Sequence, residues 1–361
     1  MKILKGLFKF ILLPIIVLLI GTTLFFTIKN TIYLGGEDET HINYLKNHHE
    51  ILDKNKASFN SFDSSFYSNN IFILCENHGF EDVQLIDDQL FIHLNKTQGV
   101  RFYIAEMDSL IAKELNTFLN KPIADKTLLK SVIKSIADII PQQSSQQLMD
   151  KWLRIHAYNL QLKDGFKIEV LGLDKNRNDT ASKISRDSSM LLNFNNLVQK
   201  RGLQNQKFYG LFGYFHGMQS GVTERNIYTF AAKLKRNNTF PQCQKVQTIT
   251  CLTLESEMYL PPFEGMPTPP DHKISIFNVD GPIALTRGIK DVKSIAPMNA
   301  ITLFNLNAAN SPYKNSQRLM GIKINLLGDE VLANNDKQVT TDFFQYVLIM
   351  RGSKALSPVS N

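Results

Sequence analysis

The chain of 361 residues is long enough to bury a full core, as one large domain or two smaller ones, and 43% hydrophobic with 20% charged residues is a globular composition rather than a disordered one. The formal charge of +7 invites a nucleic-acid partner, yet the Lys and Arg residues are dispersed. Their densest cluster, Lys233, Lys235 and Arg236, ends an expected helix, where cations suit the helix dipole, so nucleic acid is set aside.

Lys2, Lys5 and Lys9 precede an uncharged run from Phe10 to Ile28, close to the roughly 20 apolar residues a helix needs to cross a bilayer. Residues 1–35 are therefore expected to form a single-pass membrane anchor. Lysines crowd the side before the run and only Lys29 stands just after it, which favours an inside N-terminus and a main domain on the extracytoplasmic side. A cleaved signal peptide is the rival, but no small-x-small site follows the run. Residues 36–69 read as a polar juxtamembrane segment, with an amphipathic helix over 41–52 that carries His48 and His49 on its surface.

The main domain is expected over 70–361. Ile71-Phe-Ile-Leu-Cys-Glu-Asn-His-Gly79 is a short buried strand that ends in groups able to bind metal or move protons. Taken alone, these polar residues suit an ordinary strand-to-helix turn better, with Asn77 or His78 near a helix N-cap. A helix over 81–95 follows, with His93 at its rim, then a strand over 100–105 that ends in Glu106 and a helix over 108–119. Two further helices, 124–140 and 145–161, form an expected helical cap insertion over about 122–162. Trp152 and His156 share one face of the second.

A third strand, 167–173, ends in Asp174, and Arg177 follows in a polar loop. After a helix over 188–200, a fourth strand over 207–212 leads into Gly213-Tyr-Phe-His-Gly217 and a helix over 223–235. Glycines around a histidine permit close backbone approach. Strand-like runs at 246–254, 274–279, 300–306 and 321–327 come next, and 343–350 closes the chain as helix or strand. The fold class is thus α/β, with a mostly parallel central sheet flanked by helices. Cys243 and Cys251 flank a strand-like run and can pair if the domain is exported, leaving Cys75 as a small buried thiol.

Four strands so end in Glu76/His78, Glu106, Asp174 and His216. In a parallel sheet these ends share one edge, where ligands bind. Two imidazoles and several carboxylates there can hold a divalent metal with room for water, or serve as general base and acid at a carbonyl.

Cys75-Glu-Asn-His78 resembles the GExH signature of the ChaN-like, erythromycin-esterase-like and TIKI superfamily, and Gly213-Tyr-Phe-His216 is similar to its second, GxxH motif. Phe102–Glu106 and Val170–Asp174 fall where that superfamily has strands ending in an acid. Cys75 stands in place of its usual first glycine. The resemblance implies an α/β domain whose catalytic or metal-binding residues are Glu76, His78, Glu106 and His216. It makes His78 a base or ligand and His216 its counterpart, with Asp174 supporting them from behind. His156, Arg177 and Tyr214 are candidates to position a small-molecule or peptide substrate. Relatives include ester hydrolases, membrane-tethered metalloproteases and haem- or iron-binding lipoproteins. The expectation is a membrane-anchored hydrolase of an ester or amide bond, with or without a divalent metal. A haem- or metal-ion-binding protein without turnover, or an inactive surface domain, stands as the alternative.

Overall fold

The structure is a computed structural model that describes residues 12–175, 183–222, 227–262, 268–324 and 331–359. Its centre is an eight-stranded sheet of β1 (His49–Leu52), β2 (Ile71–Glu76), β3 (Phe102–Ala105), β4 (Glu169–Gly172), β5 (Phe208–Gly213), β6 (Val246–Leu254), β10 (Ala300–Asn305) and β12 (Tyr346–Arg351). Two-residue strands, β7 (Met258–Tyr259) with β8 (Lys273–Ile274) and β9 (Ala284–Leu285) with β11 (Lys323–Ile324), form small ribbons beside it. The order across the sheet is β1-β10-β12-β6-β2-β5-β3-β4. From β12 to β4 the strands run parallel, while β10 pairs antiparallel with both β12 and β1.

Continuous apolar runs explain this centre. Every residue of β2, β5 and β6 is buried, as strands covered on both faces require. Side chains alternate across β2: Phe72 and Leu74 enter one core layer, whereas Ile71, Ile73 and Cys75 enter the other. Glu76 comes next in that alternation, at the carboxyl end. The first layer is covered by helices Glu81–Gln98, Ser109–Leu119, Lys126–Ala137 and Gln146–Gln161; the last two, expected as a cap over one end of the sheet, pack into this layer on its face. The second is covered by Arg186–Arg201 and Phe230–Lys235. The latter is shorter than the expected 223–235, of which residues 223–226 lie outside the described ones.

Several expectations change. The stretch over 36–69 is part of the fold: helix Glu39–Asn47 buries Ile42, Tyr44 and Leu45, and β1 extends the sheet along β10. His48 stacks on Tyr44 with ring centroids 4.1 Å apart, and His49 lies in β1. The closing segment is a strand, β12, because its backbone pairs with β6 and β10. Cys243 and Cys251 do not pair: all three cysteines are free, and these two side chains belong to different core layers. The runs at 274–279 and 321–327 contribute only the short strands β8 and β11.

The helix α1 (Leu13–Leu34) carries exposed apolar residues along its length, including Val17, Leu18, Ile20 and Phe25. It is long and apolar enough to cross a membrane, a property that a signal sequence shares.

Cys75 occupies a place that explains a glycine. A Cβ added at Gly217 would lie 1.8 Å from the Cys75 Sγ, so the turn after β5 closes on the sheet only because residue 217 has no side chain. Gly217→Ala is expected to destabilise the fold by about 1–3 kcal/mol through overpacking. Adding Cys75→Ala is expected to restore much of that loss. Urea unfolding of the two single variants and the double variant checks the compensation.

Candidate active site

The parallel strands deliver their carboxyl ends to one edge, and the side chains just beyond them meet. A cleft of about 370 Å³ opens there, lined by Glu76, His78, Glu106, Arg186, Tyr214 and His216 among others. Apolar groups, including Phe215, Met258, Phe277, Ala284, Ile322 and Ile324, line it as well.

Glu76, at the end of β2, is 1% exposed. Its Oε1 accepts a hydrogen bond from Gln143 Nε2 at 2.7 Å, and its Oε2 a long one from Gln84 Nε2 at 3.4 Å. His78 Nδ1 lies 3.0 Å from the same Oε1, within ion-pair reach but off the line of a straight hydrogen bond. The other ring nitrogen, Nε2, faces Gly213: a Cβ there would be 3.2 Å from it. Glycine at 213 therefore leaves the space in front of His78 open. Burial disfavours the charged His78 ring, but the charge of Glu76 close to Nδ1, with Glu106 beyond, more than offsets this and raises the pKa above the ordinary histidine value.

Glu106 is the second buried carboxylate. Its Oε2 accepts the Gly213 N–H at 2.8 Å, and its Oε1 faces Arg186 Nη1 at 2.8 Å and His216 Nε2 at 3.4 Å. Burial pushes this carboxyl up, while the hydrogen bond and charge of His216, followed by Arg186 and His78, outweigh it and bring the pKa to about 2. His216 donates from Nδ1 to Asp187 Oδ1 at 2.7 Å, an oxygen that also accepts the Phe230 N–H at 2.6 Å. Burial opposes its charge, but Asp187 and Glu106 raise its pKa to about 9. At neutral pH His216 is thus an imidazolium between two carboxylates, and the two histidines differ in surroundings.

The helix beginning at Arg186 positions two of these groups. Ser185 caps it by accepting the Ser188 N–H at 3.2 Å. Asp174, just beyond β4, holds Arg186 in turn, with Nε at 2.8 Å and Nη2 at 2.5 Å from Oδ2.

Glu76, His78, Glu106, His216 and Tyr214 share the cleft, and Asp174 stands behind Arg186. His156 does not reach it. Its Nε2 meets the Lys121 carbonyl at 2.8 Å and its ring packs on Phe118, because the Trp152/His156 face turns into the helical layer. Arg177 lies outside the described residues. Arg186, Asp187 and Gln143 were not among the expected residues. Arg186 did leave a signal: a cation in the first turn of a helix opposes the dipole, a local misfit typical of a functional position. Asp187, an ordinary first-turn acid, left none.

The donor set does not suit a divalent metal. Glu106 is neutralised by Arg186 and His216, and a further cation would face the guanidinium at close range. Among the described residues, no three His, Cys, Asp or Glu side chains are grouped so as to hold a metal ion. For haem, His78 Nε2 is one open imidazole nitrogen, but both nitrogens of His216 already face carboxylates. Cys75, fully buried on the other side of β2 with its thiol pKa raised by burial, is neither ligand nor nucleophile here.

The raised pKa of His216 links to stability with a definite sign. The folded value near 9 lies above the ordinary 6.5, so the contribution is fully present below about pH 6.5 and lost as pH rises through about 9. It is worth up to roughly 3 kcal/mol. Urea unfolding is expected to show wild type losing its advantage over His216→Gln as pH rises through that window.

No family model and no curated protein matches the chain. Solved structures do match its fold. A protein from Bacillus cereus aligns over 90% of this chain and 100% of its own, with TM-score 0.61 at 13% identity. A succinoglycan biosynthesis protein aligns over 90% and 100%, with TM-score 0.60 at 12% identity. A mutant of the erythromycin esterase EreC, in its open conformation, aligns over 87% and 100%, with TM-score 0.59 at 10% identity. Likeness at such identities is one of fold, and the chemistry has to be read from this chain's own residues. The chain thus shares its fold with these proteins, the erythromycin esterase among them.

Proposed function

We propose that the protein hydrolyses an ester or amide bond by direct attack of a water molecule, with His78 as general base and without a metal. The observation that carries this reading is the asymmetry of the two imidazoles in one cleft. His78 has a carboxylate behind Nδ1 and open space before Nε2, whereas His216 is held as a cation opposite it.

The roles follow from that geometry. A water at His78 Nε2 gives up a proton as its oxygen bonds to the carbonyl carbon, and Glu76 stabilises the imidazolium that forms. The oxygen of the tetrahedral intermediate meets positive charge from Arg186 and from the Nε2–H of His216, whose 3.4 Å contact with Glu106 is long enough to be exchanged for a substrate oxygen. The proton held by His78 then leaves with the alcohol or amine. Gln143 and Gln84 fix Glu76, and Asp187 and Asp174 fix His216 and Arg186.

The same reading places the protein in a membrane through α1, single-pass, with its domain on the extracytoplasmic side. Support comes from the length and apolar surface of α1 and from the lysines before the apolar run.

His78→Ala and His216→Ala are each expected to lower kcat/KM by about 10²–10⁴-fold while the fold is kept, as circular dichroism would check. Activity is expected to climb as pH rises through the elevated pKa of His78 and to fall as His216 loses its proton near 9. Dialysis against a chelator is expected to leave turnover unchanged; loss of turnover restored by one metal ion would contradict the metal-free roles.

A further inference from the structure

The cleft and α1 meet at one small piece of structure. Asn30 Nδ2 donates to the Pro282 carbonyl at 3.0 Å, and the Gly288 N–H donates to the Leu34 carbonyl at 3.1 Å. The Lys323 ammonium lies 5.1 Å from the centre of the Tyr33 ring. Pro282 and Gly288 bracket β9, and Lys323 belongs to β11. This same β9/β11 ribbon supplies Ala284 and Ile324 to the apolar lining of the cleft, which Ile322, just before β11, and Phe277 share. Tyr33 packs into the core that contains Ala284 and Ile322. No polar linker separates helix from domain: Ile28 and Ile32 are 51% and 75% exposed, while Leu34 is already buried.

Distance makes this contact informative. Lys29, the first charge after the apolar run, is five residues before Leu34, about 8 Å along a helix. The polar layer of one leaflet is about 5–8 Å deep. A helix that leaves the hydrocarbon near Lys29 therefore sets the ribbon within the headgroup layer, where the ester groups of lipids lie. Exposed Lys29 and Arg287 stand beside the contact, as an anionic headgroup surface favours.

We infer that the cleft takes its substrate from the membrane: an amphiphile whose acyl chain lies along Phe277, Ala284, Ile322 and Ile324 and whose ester or amide carbonyl reaches His78. This rests on the proposed readings of α1 as an anchor and of the cleft as hydrolytic. The reaction balances as water plus acyl ester giving carboxylic acid plus alcohol. The C–O bond to the water oxygen forms, the C–O bond to the leaving oxygen breaks, and the water proton passes through His78 to that oxygen. The membrane supplies the hydrophobic chain already positioned, so the apolar wall contributes burial energy without extracting the whole lipid into water.

The test uses the full-length protein in vesicles of phosphatidylcholine and phosphatidylglycerol that carry a phospholipid with a diazirine on its acyl chain. After irradiation and tryptic digestion, label is expected on α1 and on the peptides Ile274–Arg287 and Ile324–Lys337. A short-chain, water-soluble diazirine probe is expected to label the two peptides at least about tenfold less. Ile324→Asp is expected to lower label on them about tenfold at an unchanged melting temperature; the milder Ile324→Ser serves if the first variant melts early. Label on α1 without label on either peptide overturns the inference, and so does equal labelling by the soluble probe. Absence of label on α1 itself overturns it through the anchor reading. Label in both peptides with no cleavage of any vesicle-borne ester leaves the ligand assignment standing and removes the hydrolytic reading.

Discussion

A buried carboxylate organises the site. Glu106 is 7% exposed, and leaving it charged inside the fold requires partners on every side: the Gly213 amide, Arg186 and His216. These partners come from β5, from the start of the helix Arg186–Arg201 and from the turn after β5. Satisfying one charge therefore pins three segments against the end of β3. Asp174 and Asp187 extend the network outward by holding Arg186 and His216.

That network also gives the two histidines different surroundings. His216 faces Glu106 and Asp187, so its proton is held strongly. His78 faces Glu76 but also feels the opposing charge of Arg186, and its second nitrogen is left open. In the proposed hydrolysis one imidazole accepts the water proton and the other offers positive charge. Environment, rather than residue type, divides the work. The guanidinium in the middle is also what makes the cluster unsuitable for a divalent cation, although its His and Glu content resembles a ligand set.

Much of this was legible in the sequence, and for a specific reason. Fully buried parallel strands read as unbroken apolar runs, so β2, β3, β4 and β5 could be placed, and with them the acids and histidines just past their ends. Arg186 and Asp187 escaped because a helix start, not a strand end, presents them, and spacing along the chain does not show which face of the first turn points inward. Gln143 escaped because it belongs to the helical insertion and reaches Glu76 across 67 residues of chain. The edge strand β1, His-Glu-Ile-Leu, has too few apolar residues to separate it from a polar helix. The apolar run of β12 fits either a buried helix or a buried strand until its neighbours are known. His156 looked available because helical spacing gives a face but not which way that face turns.

The central proposal is that two imidazoles in one cleft act differently, His216 as a held cation and His78 as the base. The most direct measurement is a ¹⁵N-histidine nuclear magnetic resonance titration of the chelator-treated protein, with His78→Ala and His216→Ala used to assign the signals. The expected spectrum at about pH 7.5 has His216 protonated on both ring nitrogens, and the His78 ring, once neutral, carries its proton on Nδ1 toward Glu76. A neutral His216 at that pH, or identical titration of the two rings, would contradict the assignment of base and counterpart.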